Sequence, residues 1–209
     1  MRSIRRAQGT TSSKLVVATI CLLLTACIHT SYPSGWPALV KDAGVECPDI
    51  SGRFENRASE STFTPTVRLP NGGRLYDEIT GEGAFGRHEC DDCVVDLQWL
   101  DDTHDTLRVS LVFPDTSTNS REHEEKTLHR SRGDFTCNDS GLAVSFTQGS
   151  DVIAAGGVDR IHQTYWLTRG GSLVRYEKVQ GLHHTAVLPY PEFIEDYMLW
   201  RREKKAERR

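Results

Sequence analysis

From Cys47 onward, hydrophobic and polar residues alternate in short runs that predict an all-β chain. The runs are rich in β-branched and aromatic residues, which pack well on the faces of a pleated sheet. Seven runs predict strands: Ile50–Arg57, Val94–Leu100, Thr106–Phe113, Lys126–Arg130, Leu142–Thr147, Ile161–Thr168 and Ser172–Val179. Clusters of Gly, Asn, Asp and Pro separate them and favour turns. This spacing predicts an antiparallel barrel or sandwich of about seven to nine strands.

The last two of these runs predict a β-hairpin. Arg169-Gly170-Gly171 lies between them and supplies the residues of a tight turn. In the second run, Leu173, Arg175, Glu177 and Val179 point to one face of the sheet, whereas Val174, Tyr176 and Lys178 point to the other. This mixed content is typical of a hairpin with one covered face and one face in water.

Residues 191–205 show a different pattern, which predicts a terminal helix. Pro191 suits the first helical turn, and acidic residues precede basic ones, in the order that the helix dipole favours. Phe193, Tyr197 and Trp200 fall on one helical face. We therefore expect 191–209 to form an amphipathic helix with a basic tail. That tail either extends into solvent or contacts phosphate headgroups of a membrane.

The N-terminal segment predicts export and a lipid anchor. Four basic residues precede Leu15–Leu24, a ten-residue apolar run that is too short to cross a bilayer as a helix. Leu24-Thr25-Ala26-Cys27 follows and resembles the lipobox of bacterial lipoproteins. The resemblance implies that a diacylglycerol is attached to the sulfur of Cys27, that the chain is cut before this residue, and that the new amine is acylated. An ordinary secretory signal peptide with an incidental Cys27 is the alternative.

These signals divide the chain into four parts. We expect a signal peptide at 1–26, a lipidated flexible tether at 27–45, a β-rich globular domain at 46–190 and the helix with its tail at 191–209. No later apolar run approaches the roughly 20 residues that span a bilayer, so the expected membrane contact is an anchor. In the lipoproteins, an aspartate after the lipidated cysteine favours the inner membrane. Ile28 stands there, which implies the outer membrane facing the periplasm if the cell is Gram-negative.

The net charge of the chain makes some classes of binding partner unfavourable. The chain has 25 Lys and Arg against 29 Asp and Glu, a net charge of −4. Removing the leader's four basic residues from 25 leaves 21 against 29, a formal charge of −8. An acidic body disfavours binding to nucleic acid and to anionic lipid headgroups, and we expect no nucleic-acid partner. The expected partners are the membrane, through the lipidated N-terminal cysteine, and a protein of the cell envelope.

The cysteine count agrees with an oxidising compartment. Cys21 leaves with the leader and Cys27 takes the lipid, so four of the six cysteines remain: Cys47, Cys90, Cys93 and Cys137. An even number predicts two disulfides, although the sequence alone allows three pairings. We favour Cys47–Cys137 with Cys90–Cys93, because the longer closure stabilises more in the chain-entropy model.

The segment His88-Glu89-Cys90-Asp91-Asp92-Cys93 offers an alternative to disulfides. His88, Cys90 and Cys93 are candidate zinc ligands, and His183 or His184 supplies a candidate fourth. Structural zinc sites need reduced thiols, which an oxidising compartment does not keep, so disulfides are preferred over a metal site. A redox role for Cys-x-x-Cys ranks lower still, because the flanking acids oppose thiolate formation. No metal and no cofactor is expected.

Other motifs give no indication of catalysis. Gly81-Glu82-Gly83-Ala84-Phe85-Gly86 matches G-x-G-x-x-G, but no helical pattern follows it, so a glycine loop is favoured over a dinucleotide site. The chain lacks Gly-x-Ser-x-Gly and a complete His-Glu-x-x-His. We expect no catalytic residues and a protein that is not an enzyme.

The start of the predicted domain carries two further resemblances. Cys47-Pro48-Asp49-Ile50-Ser51-Gly52-Arg53-Phe54 resembles the opening strand of a group of uncharacterised bacterial lipoproteins, and that resemblance implies no activity. Gly52-Arg53-Phe54 is similar, more distantly, to the Gly-x-Trp first strand of lipocalins, with Phe54 in place of Trp. The sequence thus favours a lipid-anchored envelope lipoprotein with a non-enzymatic structural or interaction role. The first alternative is a lipocalin-like binder of a small apolar ligand, and the second is a metal-binding protein.

Overall fold

The computed structural model describes residues 31–40, 47–62, 73–81, 90–114, 123–138, 141–152, 155–185 and 189–203. Ten strands, one short α-helix and one 3-10 turn lie in these ranges. The strands are β1 Gly52–Glu55, β2 Glu60–Ser61, β3 Val94–Trp99, β4 Thr106–Val112, β5 His123–His129, β6 Thr136–Asn138, β7 Gly141–Val152, β8 Ala155–Leu167, β9 Leu173–Thr185 and β10 Pro189–Trp200. Helix α1 is Leu75–Thr80, and the 3-10 turn is Arg130–Arg132.

The strands form two antiparallel sheets. The small sheet has the order β1-β3-β4-β5, and the large sheet has the order β2-β10-β9-β8-β7-β6. Among the described strands, the first and last of each sheet do not pair with each other, so neither sheet closes into a barrel. The prediction of an all-β antiparallel fold is confirmed, and the two sheets fit a sandwich better than a barrel. The described strands number ten, one more than the upper limit predicted.

One hydrophobic core lies between the sheets. On β4, Leu107, Val109 and Leu111 are buried and alternate with more exposed Arg108 and Ser110. The core also takes residues from β1, β3, β7, β8, β9 and β10, together with α1. Period-two alternation places one face of these strands in the core and the other outside.

The predicted hairpin is confirmed as β8 and β9. Leu167 pairs with Leu173 at its closed end, and the register continues to Ala155 opposite Thr185. Gly171 has φ of 79°, a left-handed conformation that favours glycine at this turn. The face with Leu173, Arg175 and Glu177 is the covered one and is called the inner face below. The opposite face of the large sheet is called the outer face.

The predicted C-terminal helix is wrong for residues 191–200, because Pro189–Trp200 is a strand, β10. This strand pairs along its full length with β9 and, at Met198 and Leu199, with β2. Asp196, Met198 and Trp200 alternate onto the inner face and are buried, whereas Phe193 is exposed on the outer face. Pairing with an edge of the large sheet outweighs the helical spacing of the aromatic residues, since propensity is weak beside tertiary contacts. Residues 204–209 of the predicted tail lie outside the described residues.

Helix α1 has six residues and is held by Asn56, a fully buried side chain. The Leu75 N–H donates to the Asn56 carbonyl at 2.7 Å, and the Tyr76 N–H donates to its Oδ1 at 3.1 Å. These bonds satisfy N–H groups that the first helical turn leaves without internal partners. The helix ends at Gly81, which has φ of 69°. The described part of the chain contains no helix with the length and apolarity needed to cross a membrane.

Residues 31–40, within the segment predicted as a tether, contact the large sheet. The Val40 N–H donates to the Leu167 carbonyl at 2.8 Å, and the Arg169 N–H donates to the Ala38 carbonyl at 2.9 Å. At the other end of the segment, the Tyr32 ring meets the Tyr197 ring edge-on at 5.5 Å between centroids. This segment therefore runs from the end of β8 to the outer face of β10.

Candidate functional site

The structure brings the four cysteines of the predicted domain together in two pairs. Cys47 and Cys137 form one disulfide, with Cα atoms 5.0 Å apart, and Cys90 and Cys93 form the other, with Cα atoms 5.3 Å apart. This is the pairing that the sequence favours. The first bond joins residues 90 positions apart and links the segment before β1 to β6. The second closes a short loop before β3.

Two of the candidate site residues and most of the glycine loop lie outside the part of the chain that the structure describes. Cys27 and His88 are outside the described residues, as are 82–86 of the glycine loop. Cys90 and Cys93 are bonded to each other, so neither sulfur is a thiolate ligand in this state. Among the described residues, no group of three or more His, Cys, Asp and Glu side chains is placed to hold a metal ion.

The disulfide loop at Cys90–Cys93 is held by residues that follow β1 and by the residue that precedes α1. Asn56 Nδ2 donates to the Cys90 carbonyl at 2.8 Å, and the Asn56 N–H donates to the Cys93 carbonyl at 2.9 Å. Asp91 within the loop accepts from Arg57 Nη1 at 2.8 Å and from Arg74 Nε at 3.2 Å. The acidic residues that the sequence places around Cys-x-x-Cys thus include one that pairs with two arginines.

Phe54, the aromatic residue of the lipocalin-like motif, is fully buried in the core. The Arg202 guanidinium lies over its ring, 6.0 Å from the centroid, and donates from Nη2 to the Ser51 carbonyl at 2.8 Å. Gly52 has φ of 150°, and a Cβ built there would lie 2.6 Å from Arg202 Nη2. Phe54 therefore fills core space beneath an arginine, which is the packing role expected of a buried aromatic.

A buried polar cluster that was not predicted from the sequence lies on the inner face of the large sheet. Arg175 stands at its centre, fully buried, and three acidic side chains surround it. Its Nη1 donates to Glu78 of α1 and lies 3.1 Å from Glu177 Oε2, and its Nη2 lies 3.1 Å from Asp196 Oδ1. The cluster thus joins α1 to β9 and β10.

Two neutral side chains of β8 complete this cluster. Gln163 Nε2 donates to Glu78 Oε2 at 2.8 Å and to Glu177 Oε2 at 2.6 Å. The Tyr165 hydroxyl donates to Gln163 Oε1 at 2.8 Å. Gln163, Glu177 and Asp196 occupy matching register positions on β8, β9 and β10, so the strands alone align most of the cluster.

Burial changes the protonation of these acids. Removal from water raises the pKa of Glu78 to about 7, although the Arg175 charge acts in the opposite direction. Burial likewise raises the pKa of Asp196 to about 6, again against Arg175, and raises the pKa of Tyr165. Three carboxylates around one guanidinium would carry a surplus of negative charge, which a low-dielectric interior opposes. Glu78 and Asp196 therefore bind a proton more readily in the folded protein than the same acids do in water.

This arrangement can clamp elements together and exchange a proton. Glu78, Arg175, Glu177 and Asp196 are all buried, so it presents no face to a substrate. The sequence carries one signal for it, because Arg175 and Glu177 share a strand face with Leu173 and Val179. It carries no signal for Glu78, which lies 97 positions from Arg175 and meets it only in the folded chain.

Comparisons with known proteins found no matching family model, no matching curated protein and no matching solved structure.

Proposed function

We propose that this protein is a lipid-anchored lipoprotein of the cell envelope, held in the outer membrane and facing the periplasm, with a non-enzymatic structural or interaction role. The observation that carries the proposal is Leu24-Thr25-Ala26-Cys27, directly after a basic segment and a ten-residue apolar run. The expected modification gives Cys27 three acyl chains. One chain gives only marginal membrane binding, at about 0.8 kcal/mol per buried CH2, whereas several chains hold firmly.

The disulfides support an exported location. Cys47, Cys90, Cys93 and Cys137 all lie in disulfides, which form and persist in oxidising compartments such as the bacterial periplasm. Cys27 is then the cysteine of the processed chain that is left for the lipid. The use of the other four cysteines in disulfides is therefore consistent both with an envelope location and with a lipid on Cys27.

The buried polar cluster supports a structural role over a catalytic one. Its charged groups contact each other and join α1 to three strands of the large sheet. Catalytic acids and bases must be within hydrogen-bond reach of a reacting group, and these side chains are sealed in the core.

The test of the anchor is metabolic labelling with radioactive palmitate, followed by intact mass of the purified protein. We expect label on the wild type and on Cys21→Ala, and no label on Cys27→Ala. Cys21→Ala is a matched control because Cys21 lies in the same leader, six residues away. Label that persists on Cys27→Ala would overturn the proposal.

The outer-membrane assignment has a separate test. Ile28→Asp introduces the residue that favours inner-membrane retention in the lipoproteins, and Ile28→Ser is its control. We expect the aspartate variant to move to the inner-membrane fraction of a density gradient while the serine variant stays with the wild type. A wild-type protein found in the inner-membrane fraction would contradict the assignment.

A further inference from the structure

The outer face of the large sheet has an exposed apolar end. Val158 on β8, Leu182 on β9 and Phe193 on β10 are 56%, 61% and 62% exposed. Val158 pairs directly with Leu182, and Phe193 pairs with Gln180, two positions from Leu182. Four large hydrophobic side chains are exposed in the described part of the chain, and three belong to this group, the outer patch. Clustered exposed apolar residues mark surfaces that contact something else.

The other end of the same face is covered. Residues 31–40 run along it, from the backbone bonds at Leu167 to the ring contact between Tyr32 and Tyr197. Val174 and Leu199, which lie on the outer face at this end, are buried. The N-terminal segment therefore lies on the face that carries the outer patch and follows it from the β8–β9 turn toward the patch.

Chain length connects the outer patch to the anchor site. Cys27 precedes Tyr32 by five residues, a distance of at most about 17 Å for an extended chain. Phe193 precedes Tyr197, the ring partner of Tyr32, by four residues of β10, or about 14 Å along a strand. A lipidated Cys27 is thus within reach of the outer patch.

The charges beside the outer patch suit a lipid surface. On the outer face next to it lie Arg160 and Lys178, with Glu195 within 3.8 Å of the Lys178 ammonium. The formal charge of these three side chains is +1, whereas the chain without its leader carries −8. Basic residues beside apolar and aromatic ones favour the boundary between headgroups and acyl chains.

We propose that the outer patch docks on the lipid surface of the leaflet that holds the Cys27 acyl chains, with Phe193 and Leu182 entering the headgroup boundary. This inference rests on the proposed function, since the anchor brings the patch to the membrane. The docked protein keeps the outer face of the large sheet toward the lipid and turns the small sheet toward the periplasm, where it is free for other contacts.

The test uses the full lipidated protein in vesicles of phosphatidylethanolamine and phosphatidylglycerol, with one nitroxide label per variant. Gln180→Cys places the label beside Phe193, and Gln98→Cys places it on β3 of the small sheet as a matched control. Both glutamines are exposed. We expect the label at 180 to lose accessibility to a polar nickel reagent and to gain collisions with oxygen, while the label at 98 keeps its accessibility to nickel.

A second variant pair tests the apolar contact itself. Leu182→Ser with Phe193→Ser should restore nickel accessibility at position 180, whereas Leu100→Ser, an exposed leucine after β3, should not. Equal accessibility at 180 and 98 overturns docking. So does a label at 180 that is shielded from both reagents and recovers on dilution of the protein in the bilayer, because that result indicates a second copy of the chain.

Failure of the anchor is distinguished by intact mass. If the intact mass includes the acyl chains and the label at 180 lies in water, the docking inference is wrong and the proposed function stands. A protein without acyl mass loses the proposed function, and an oxygen-accessible label at 180 in vesicle-bound protein then still supports docking.

Discussion

Glu78 is a residue whose pKa is raised by folding, so its effect on stability can be measured as a function of pH. Its pKa is raised from 4.5 to about 7 by burial, so the folded protein binds this proton more tightly than the unfolded chain. The contribution to the free energy of unfolding is fully present below pH 4.5 and is lost as the pH rises through 7. Asp196, with a pKa raised to about 6, acts in the same direction.

Glu78→Gln should therefore flatten the dependence of stability on pH. Glutamine keeps the size of the side chain and does not titrate, and Arg175 retains Glu177 and Asp196 as partners. We expect the variant to gain stability relative to the wild type between pH 5 and pH 8, measured by urea unfolding at each pH. Glu55→Gln, at an exposed position of β1, is the control. An unchanged slope in Glu78→Gln would contradict the assignment.

Asn56 is a second residue with a predicted large effect. Its side chain accepts from the Tyr76 N–H and donates to the Cys90 carbonyl, and it is fully buried. Asn56→Ala leaves both backbone groups without this partner, and each such group costs about 1–3 kcal/mol. We expect the free energy of unfolding to fall by about 3 kcal/mol. Asn138→Ala, exposed on β6, should change it by less than about 0.5 kcal/mol.

At the scale of elements, β10 is where the structure differs from the prediction, because the sequence predicts a helix and the chain forms a strand. A helix over 191–205 places Phe193, Tyr197 and Trp200 on one buried face, whereas the strand exposes Phe193 and buries Met198. Phe193→Ala should then change the free energy of unfolding by less than about 0.5 kcal/mol. Met198→Ala should lower it by about 3 kcal/mol. Equal losses in the two variants, measured by urea unfolding, would favour the helix.

The elements that could be predicted from the sequence are those whose signals lie in residues close together along the chain. The part of the β8–β9 hairpin that the sequence predicts, 161–179, has a glycine turn between two alternating runs, and both features lie within 20 residues. Helix α1 is too short for a helical period to be visible, and its N-terminus is held by Asn56, about 20 residues earlier. Strand β2 has two residues and is defined by its pairing with β10. Elements that depend on distant partners are not visible in a single sequence.

At the scale of the molecule, alternation and turns predict the all-β class, because burial of one face per strand follows from the residues alone. The division into two sheets does not follow, since it depends on which strands pair across long connections. The same limit applies to the candidate sites. The cysteine count predicts two disulfides from an even number in an exported chain, whereas the buried cluster needs Glu78 and Arg175 to meet across 97 positions.

The two disulfides should contribute unequally to the stability of the whole molecule. Cys47–Cys137 closes a separation of 90 residues and Cys90–Cys93 a separation of three. In the chain-entropy model these closures contribute about 4–5 and about 2 kcal/mol. Each bond has a buried member, Cys47 or Cys93, so replacing both cysteines of a pair by alanine removes a buried sulfur in either case. The double variant at 47 and 137 should therefore lose about 2–3 kcal/mol more than that at 90 and 93, measured by urea unfolding. Equal losses would mean that the unfolded chain is constrained similarly by both bonds. A difference of about 2–3 kcal/mol would mean that the long closure, between the segment before β1 and β6, supplies the larger part of the stability that the disulfides contribute.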